Sequence, residues 1–146
     1  MSPVLLLAAV LAAAARPAAA EPDPAVGEWL TADGMAHVAI APCSYAPAKA
    51  CGAITWLKDP AGHPNRDVNN PDPALRARPL VGVLVVRDLK PEGPGRWTGG
   101  QVYDPKTGRT GRASLQVLSR NHVRVDGCIL VVCNSKTWSR VDGTSP

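Results

Sequence analysis

The 146-residue chain contains no Phe, and Trp and Tyr together make up only 4% of it. A core without phenylalanine rests on Val, Leu, Ile and Ala, which makes it thin unless something else supports it. No apolar run approaches the ~20 residues that a membrane-spanning helix requires. The longest, Val4 to Ala15, stops at Arg16 after twelve residues. No cysteine precedes Cys43, so a lipid-anchored N-terminal cysteine is excluded. No two basic residues are adjacent, and several sit beside acids, as in Arg66-Asp67 and Arg87-Asp88; nucleic-acid binding is therefore not expected. The cysteine spacings, C-x7-C and C-x4-C, lack the tight pairs and accompanying His of a zinc site. No helical heptad occurs anywhere. The length admits one domain burying about two-thirds of its unfolded surface, which excludes a two-domain enzyme or a multi-span membrane protein.

Sixteen of the first twenty residues are apolar. Without them the apolar share of the chain falls to roughly 40%, so much of the hydrophobicity is a leader. A twelve-residue Val/Leu/Ala run followed by Ala18-x-Ala20 has the form of a secretory signal. We expect residues 1–20 to be removed and residues 21–146 to form a single domain beginning at Glu21. Met1-Ser2-Pro3 departs from the signal pattern by carrying no Lys or Arg, and the alternative is an uncleaved apolar helix docked on the domain. Four cysteines in a small exported chain favour disulfides, and hence a periplasmic or secreted location. Three connectivities are open. Two local bridges, Cys43–Cys51 and Cys128–Cys133, are the economical choice, each contributing about 2 to 3 kcal/mol by loop entropy. With 16 Lys and Arg against 12 Asp and Glu, the net charge is +4, spread evenly enough to act mainly on solubility, with mild attraction to anionic envelope surfaces.

Thirteen Gly and fifteen Pro punctuate short apolar runs, the pattern of an all-β chain. Eight strands are expected: Gly27 to Thr31, Ala36 to Pro42, Cys51 to Lys58, Leu80 to Leu89, Arg96 to Tyr103, Thr110 to Leu118, His122 to Cys128 and Cys133 to Val141. Alternation is clearest where Ala113, Leu115 and Val117 interleave with Arg112, Ser114 and Gln116, and where Val123 and Val125 interleave with His122, Arg124 and Asp126. Asp104-Pro105-Lys106-Thr107-Gly108 reads as a type I turn closed by a left-handed Gly. Eight strands with tight connections predict an up-and-down antiparallel barrel, which leaves no exposed edges. The exception is Asp59 to Pro79, long enough to be a lid or binding loop over the open end. Within it Asp72 and Pro73 fit the cap and first position of a short helical turn.

Gly27-Glu28-Trp29 near one end and Trp138-Ser139-Arg140 near the other resemble the calycin and lipocalin signature. That resemblance implies a first-strand Trp covered by a last-strand Arg at the closed base of a barrel, here Trp29 and Arg140. More of the chain resembles a bacterial family catalogued as domain of unknown function 2147, exported and lipocalin-like. The matching stretches include His37 to Cys43, Cys51 to Leu57, Asp67 to Pro73, Arg78 to Gly82, Gly95 to Gly100, Tyr103-Asp104-Pro105, Gly127-Cys128 and Thr137 to Val141. They cover nearly the whole expected domain, and they imply a fold without implying a reaction.

In a meander, successive loops alternate between the two ends. If Trp29 and Arg140 mark the base, the loops at Ala32 to Met35, Asp59 to Pro79, Asp104 to Gly108 and Ile129 to Val132 lie at the mouth. The same count puts Cys43 and Cys51 at the base and Cys128 and Cys133 at the mouth. Four consecutive apolar residues, Ile129 to Val132, stand where a loop is normally polar; they can contact a ligand, the flap or a membrane, or extend the last hairpin and pack inward. Candidate ligand-binding residues are Trp56, Asn69, Arg78, Tyr103, Asp104, Ile129 and Leu130. The bland roles for these are core packing for Trp56 and Tyr103 and local turn or cap bonds for the flap side chains. Arg76 and Arg78 can hold an anion or pair with Asp67 and Asp72. Asp59, His63 and Asp67 form only a weak metal cluster, since no helical spacing fixes their geometry. No serine sits in a nucleophile elbow. We therefore expect no catalytic constellation, no metal and no cofactor, but a small apolar or amphipathic ligand at the mouth. An envelope protein or a second copy docking there is the alternative. Scarce aromatics predict either a cavity or a thin core supported by disulfides.

Overall fold

A computed structural model describes residues 2–5, 8–15, 22–58 and 65–141. The described residues form β1 (Gly27–Leu30), β2 (Ala36–Cys43), β3 (Ala46–Leu57), β4 (Leu84–Pro91), β5 (Arg96–Asp104), β6 (Arg109–Ser119), β7 (His122–Ile129) and β8 (Val132–Arg140). Each strand pairs antiparallel with the next, and β8 returns to β1, closing an up-and-down barrel. All eight expected strands are present. Their bounds lie within two residues of those expected except at the starts of β3 and β4, and the last hairpin closes one pair further up. β3 starts at Ala46 because Cys43 pairs with Ala46 around a tight Ser44-Tyr45 turn. β4 starts at Leu84 because Leu80 to Val83 turn back, the Val83 amide donating to the Leu80 carbonyl. Ile129 and Val132, expected in a loop, pair with each other and leave only Leu130-Val131 as the turn.

The inward residues supply the core: Val38, Ile40, Ile54, Val86, Leu89, Ala113, Leu115, Val123 and Val125, with two tryptophans, Trp29 and Trp138. Both disulfides form as local bridges, Cys43–Cys51 within the β2–β3 hairpin and Cys128–Cys133 within the β7–β8 hairpin. Cys128 and Cys133 face each other directly across the ladder.

The base is sealed by a short plug. Trp29 is fully buried, donates from Nε1 to the Ala25 carbonyl, and lies beneath the Arg140 guanidinium, 4.2 Å from its ring centroid. Arg140 also donates to the carbonyls of Arg120, Val26 and Pro24. Its guanidinium occupies the space a Cβ on Gly27 would need, and Gly27 sits at φ 144, so the glycine of G-x-W is required by the arginine. Asp23 completes the plug by accepting from the Gly95 amide and the Trp97 indole.

Val4, Leu5, Val10 and Leu11 are exposed, and residues 2–5 and 8–15 are in no regular structure. The expected cleavage box lies outside the described residues. Among the described residues, no helix is long and apolar enough to cross a membrane.

Closure is one-sided. β1 is four residues long and meets β8 only at Trp29↔Arg140 and Leu30↔Ser139. Above Ser139, the β8 edge from Val132 to Trp138 has no strand beside it among the described residues. Among the described residues, the β1–β8 seam of the barrel is thus paired below and unpaired above.

Candidate functional site

Contacts between loops identify the mouth. Lys106, in the β5–β6 turn, pairs with Asp33 in the β1–β2 turn at 2.7 Å. Asn69, in the long β3–β4 connection, donates from its side-chain amide to the carbonyls of Pro105 and Lys106, both at 3.1 Å. Three loops that counting puts at one end therefore touch there. Gly108 closes the β5–β6 turn at φ 72, its amide bonded to the Asp104 carbonyl at 2.7 Å. A side chain on Gly108 would collide with the Asn69 carbonyl, so a turn glycine and a flap docking site are the same requirement. Burial pushes the Asp33 carboxyl up, but bonds from Lys106, Thr31 and the Met35 amide outweigh it and hold its pKa at about 2. Lys106 is raised in turn, chiefly by its bond to Asp33.

The flap is organised by Asp67, which is fully buried. Its carboxylate accepts from the Tyr103 hydroxyl, from Asn70 at 2.8 Å and from two nitrogens of Arg78 at 2.9 and 2.8 Å. Desolvation pushes its pKa up, but the three donors and the guanidinium charge win, and the net shift is downward. Tyr103 moves the other way, to about 12, because burial and the neighbouring carboxylate both disfavour a phenolate. Backbone bonds from Asp67 to Arg78 and from Leu80 to Asn65, with the Arg66↔Pro79 bridge, close the neck of the loop. Inside it Asp72 caps a 3-10 turn, Pro73–Leu75, accepting from the Ala74 amide at 3.0 Å with Pro73 in the first turn. Arg76 donates to the Asn70 carbonyl rather than pairing with Asp72.

The seven candidate ligand residues separate into three places. Asn69, Arg78, Tyr103 and Asp104 meet around the flap and its turn, where their polar groups are engaged with protein. Asp104 accepts from the Lys106 amide and the Thr107 hydroxyl. Trp56 stands on the outer face of β3, its ring 4.3 Å from that of His37, because a bulge between His37 and Val38 turns it away from buried Ile54. Ile129 is half-buried at the top of β7, and Leu130 is exposed in the turn beyond it. Of the weak metal cluster, Asp59 and His63 lie outside the described residues, and Asp67 is held by its three partners.

Two features escape a reading of the sequence. Asp67 looks like a turn residue, and nothing in the linear order says that Tyr103 will reach it. Asn134 and Lys136 look like an ordinary wet face. Register shows otherwise, since Lys136 lies opposite buried Val125 and Asn134 opposite Gly127, which faces Val102 across the interior. Both are on the inner face and both are exposed, because β1 does not extend far enough to cover them. On the outer face of β5–β7, a depression of about 380 Å³ opens beside Gly99, Arg112, Ser114, Asp126 and Cys128. Asp126 there accepts from Ser114, Arg124 and Ser135.

Against solved structures, the chain is similar to protein HP1028 from Helicobacter pylori, described as belonging to the lipocalin family. The TM-score is 0.70 at 20% identity, covering 82% of this chain and 84% of that one. At that identity the likeness shows the fold, a lipocalin-like barrel. No curated protein matches the chain. Residues 27–140, from the glycine of the first strand to the arginine of the last, match the family described as uncharacterized protein conserved in bacteria (DUF2147), and the chain belongs to that family.

Proposed function

We propose that this chain is an exported lipocalin-like protein that takes a small apolar or amphipathic molecule into the open upper half of its barrel. The observation that carries the reading is that, among the described residues, no strand lies beside β8 above Ser139. This leaves Asn134 and Lys136 on the inner face, exposed, above a floor of Trp138, Val125 and Leu115. An apolar floor with one cation and one amide suits a ligand with an apolar body and an anionic or hydrogen-bond-accepting end. Ile129 and Leu130 form the rim. In this reading Asn69, Arg78, Tyr103 and Asp104 act by fixing the flap and the β5–β6 turn, and Trp56 takes no part. Export rests on the leader pattern and on two disulfides, which persist in oxidising compartments. No reaction is included.

The test is native mass spectrometry of protein isolated from its own host's envelope fraction, followed by organic extraction. A bound small molecule that Lys136→Glu loses, with the barrel intact by circular dichroism, supports the proposal. Ligand-free protein that also fails to bind dodecanoate refutes it. A second reading, docking of an envelope protein or another copy of the chain, is favoured by the free edge of β8, which offers backbone groups for strand addition. A dimer in place of a bound molecule would select that reading.

A further inference from the structure

The β7–β8 hairpin ends in three consecutive apolar residues, Leu130, Val131 and Val132, exposed to 87%, 95% and 62%. Two-residue hairpin turns normally use Gly, Asn or Asp, because their backbone enters the left-handed region. Here Leu130 occupies that region at φ 56. Its side chain stands in solvent, so no packing within the barrel offsets the strain. The hairpin is also stiff and, on its β8 side, unpaired among the described residues. The Cys128–Cys133 bridge clamps it one residue pair below Ile129↔Val132, and β8 has no β1 partner at that height.

The charges near the tip are mainly basic. Arg112 lies opposite Cys128 on the neighbouring strand, and Arg109 begins that strand. Both are exposed, and neither makes an ion pair among the described residues. The acids close by are already engaged: Asp33 with Lys106, Asp126 with Arg124 and two serines, and Asp104, opposite Arg109, with its own turn.

We propose that this tip is a membrane-docking element, with Leu130 and Val131 entering the headgroup and acyl boundary of a bilayer and Arg109 and Arg112 meeting anionic lipid phosphates. A rigid apolar tip flanked by cations gains on insertion without an ordering cost, and its attraction to the surface weakens with salt. Leu130 belongs to the rim in the ligand reading as well, but insertion of the tip needs no molecule in the barrel, so vesicle binding and ligand binding are read separately.

Co-sedimentation with vesicles tests it, using phosphatidylcholine alone and phosphatidylcholine with one third phosphatidylglycerol. Wild type and variants are compared with the same N-terminus, checked by intact mass, because leader residues would themselves partition. Wild type is expected to pellet with the anionic vesicles, less so as salt rises. Leu130→Asp should reduce partitioning by about tenfold or more, and Arg109→Gln with Arg112→Gln should abolish the preference for anionic lipid. Circular dichroism and an intact Cys128–Cys133 bridge establish that the variants fold. Four results would overturn the proposal: no pelleting with either vesicle, equal pelleting with both, Leu130→Asp partitioning like wild type, or a dimer that Leu130→Asp dissociates while vesicles leave it untouched.

Discussion

The buried carboxylate of Asp67 gives the sharpest prediction about the flap. It is fully buried, and three side chains donate to it from two directions: Asn70 and Arg78 within the loop, and Tyr103 from β5. Removing it by Asp67→Ala leaves an arginine, a tyrosine and an amide facing each other without an acceptor. Breaking a buried ion pair from one side costs about 3–5 kcal/mol. Arg78 keeps a side-chain exposure of 38% and recovers water, so a loss below that range, about 2–3 kcal/mol, is expected here. The loop joins the barrel mainly through this cluster and Asn69, so the loss appears first as local opening. Hydrogen exchange reads it at the amides of Asp67, Asn70 and Leu80, whose bonds to Arg78, Asp67 and Asn65 hold the loop. At about 1.4 kcal/mol per decade, those amides should exchange roughly 30- to 150-fold faster than in wild type, while β6 and β7 keep their protection. Asp67→Asn, which keeps one acceptor, should fall between. The reasoning is refuted if Asp67→Ala leaves the three amides within about threefold of wild type.

The same cluster sets a pH window: the Asp67 carboxyl is lowered in the fold, so its contribution is complete above the unfolded value of about 3.9 and is lost as pH falls through the folded value. Flap amides should therefore lose protection on acidification below about pH 4, and a flap unchanged down to about pH 2 would contradict this. Tyr103, raised to about 12, implies the opposite limb, with stability falling from about pH 10 toward 12; ultraviolet titration of the phenol should show the delayed ionisation. At the base, Arg140→Lys should lose about 2 kcal/mol in urea unfolding, because an ammonium cannot cover Trp29 and reach three carbonyls together; a loss no larger than that of an exposed-surface control would count against the seal. At the tip, Leu130→Gly should raise stability by about 1 kcal/mol, since it relieves a left-handed leucine and gives up no buried area; a lower melting temperature would show that Leu130 packs after all.

Local chemistry made the barrel legible from the sequence. Alternation in β6 and β7, a proline-and-glycine turn at Asp104 to Gly108, and paired cysteines at short spacing each follow from rules that act within a few residues. Even the Asp72 cap with Pro73 reads directly from its dipeptide. What stayed hidden depends on residues far apart in the chain. Tyr103 meets Asp67 across 36 positions, and Lys106 meets Asp33 across 73. The inward placement of Asn134 and Lys136 is set by ladder register with β7, and their exposure by the early end of β1 at Leu30. Trp56 shows the limit from the other side: its position late in β3 puts it toward the mouth, but one bulge decides which face it takes.

The scarcity of aromatics acquires a direction once the inner face is arranged in layers. The lowest layer on β6, β7 and β8 is Val117, Val123 and Trp138; the next is Leu115, Val125 and Lys136; above that come Ala113, Gly127 and Asn134. Apolar bulk falls steadily from base to mouth, and Trp29 adds to the lowest layer from β1. Apolar packing is therefore concentrated where the first and last strands meet, beside the Trp29–Arg140 stack and the Asp23 plug. The upper wall is held instead by a disulfide, an ion pair between turns and a hydrogen-bonded flap. Those devices fix backbone position without filling the interior. The thin aromatic content thus goes with a barrel whose apolar bulk sits at its base and whose upper wall is held by covalent and polar ties.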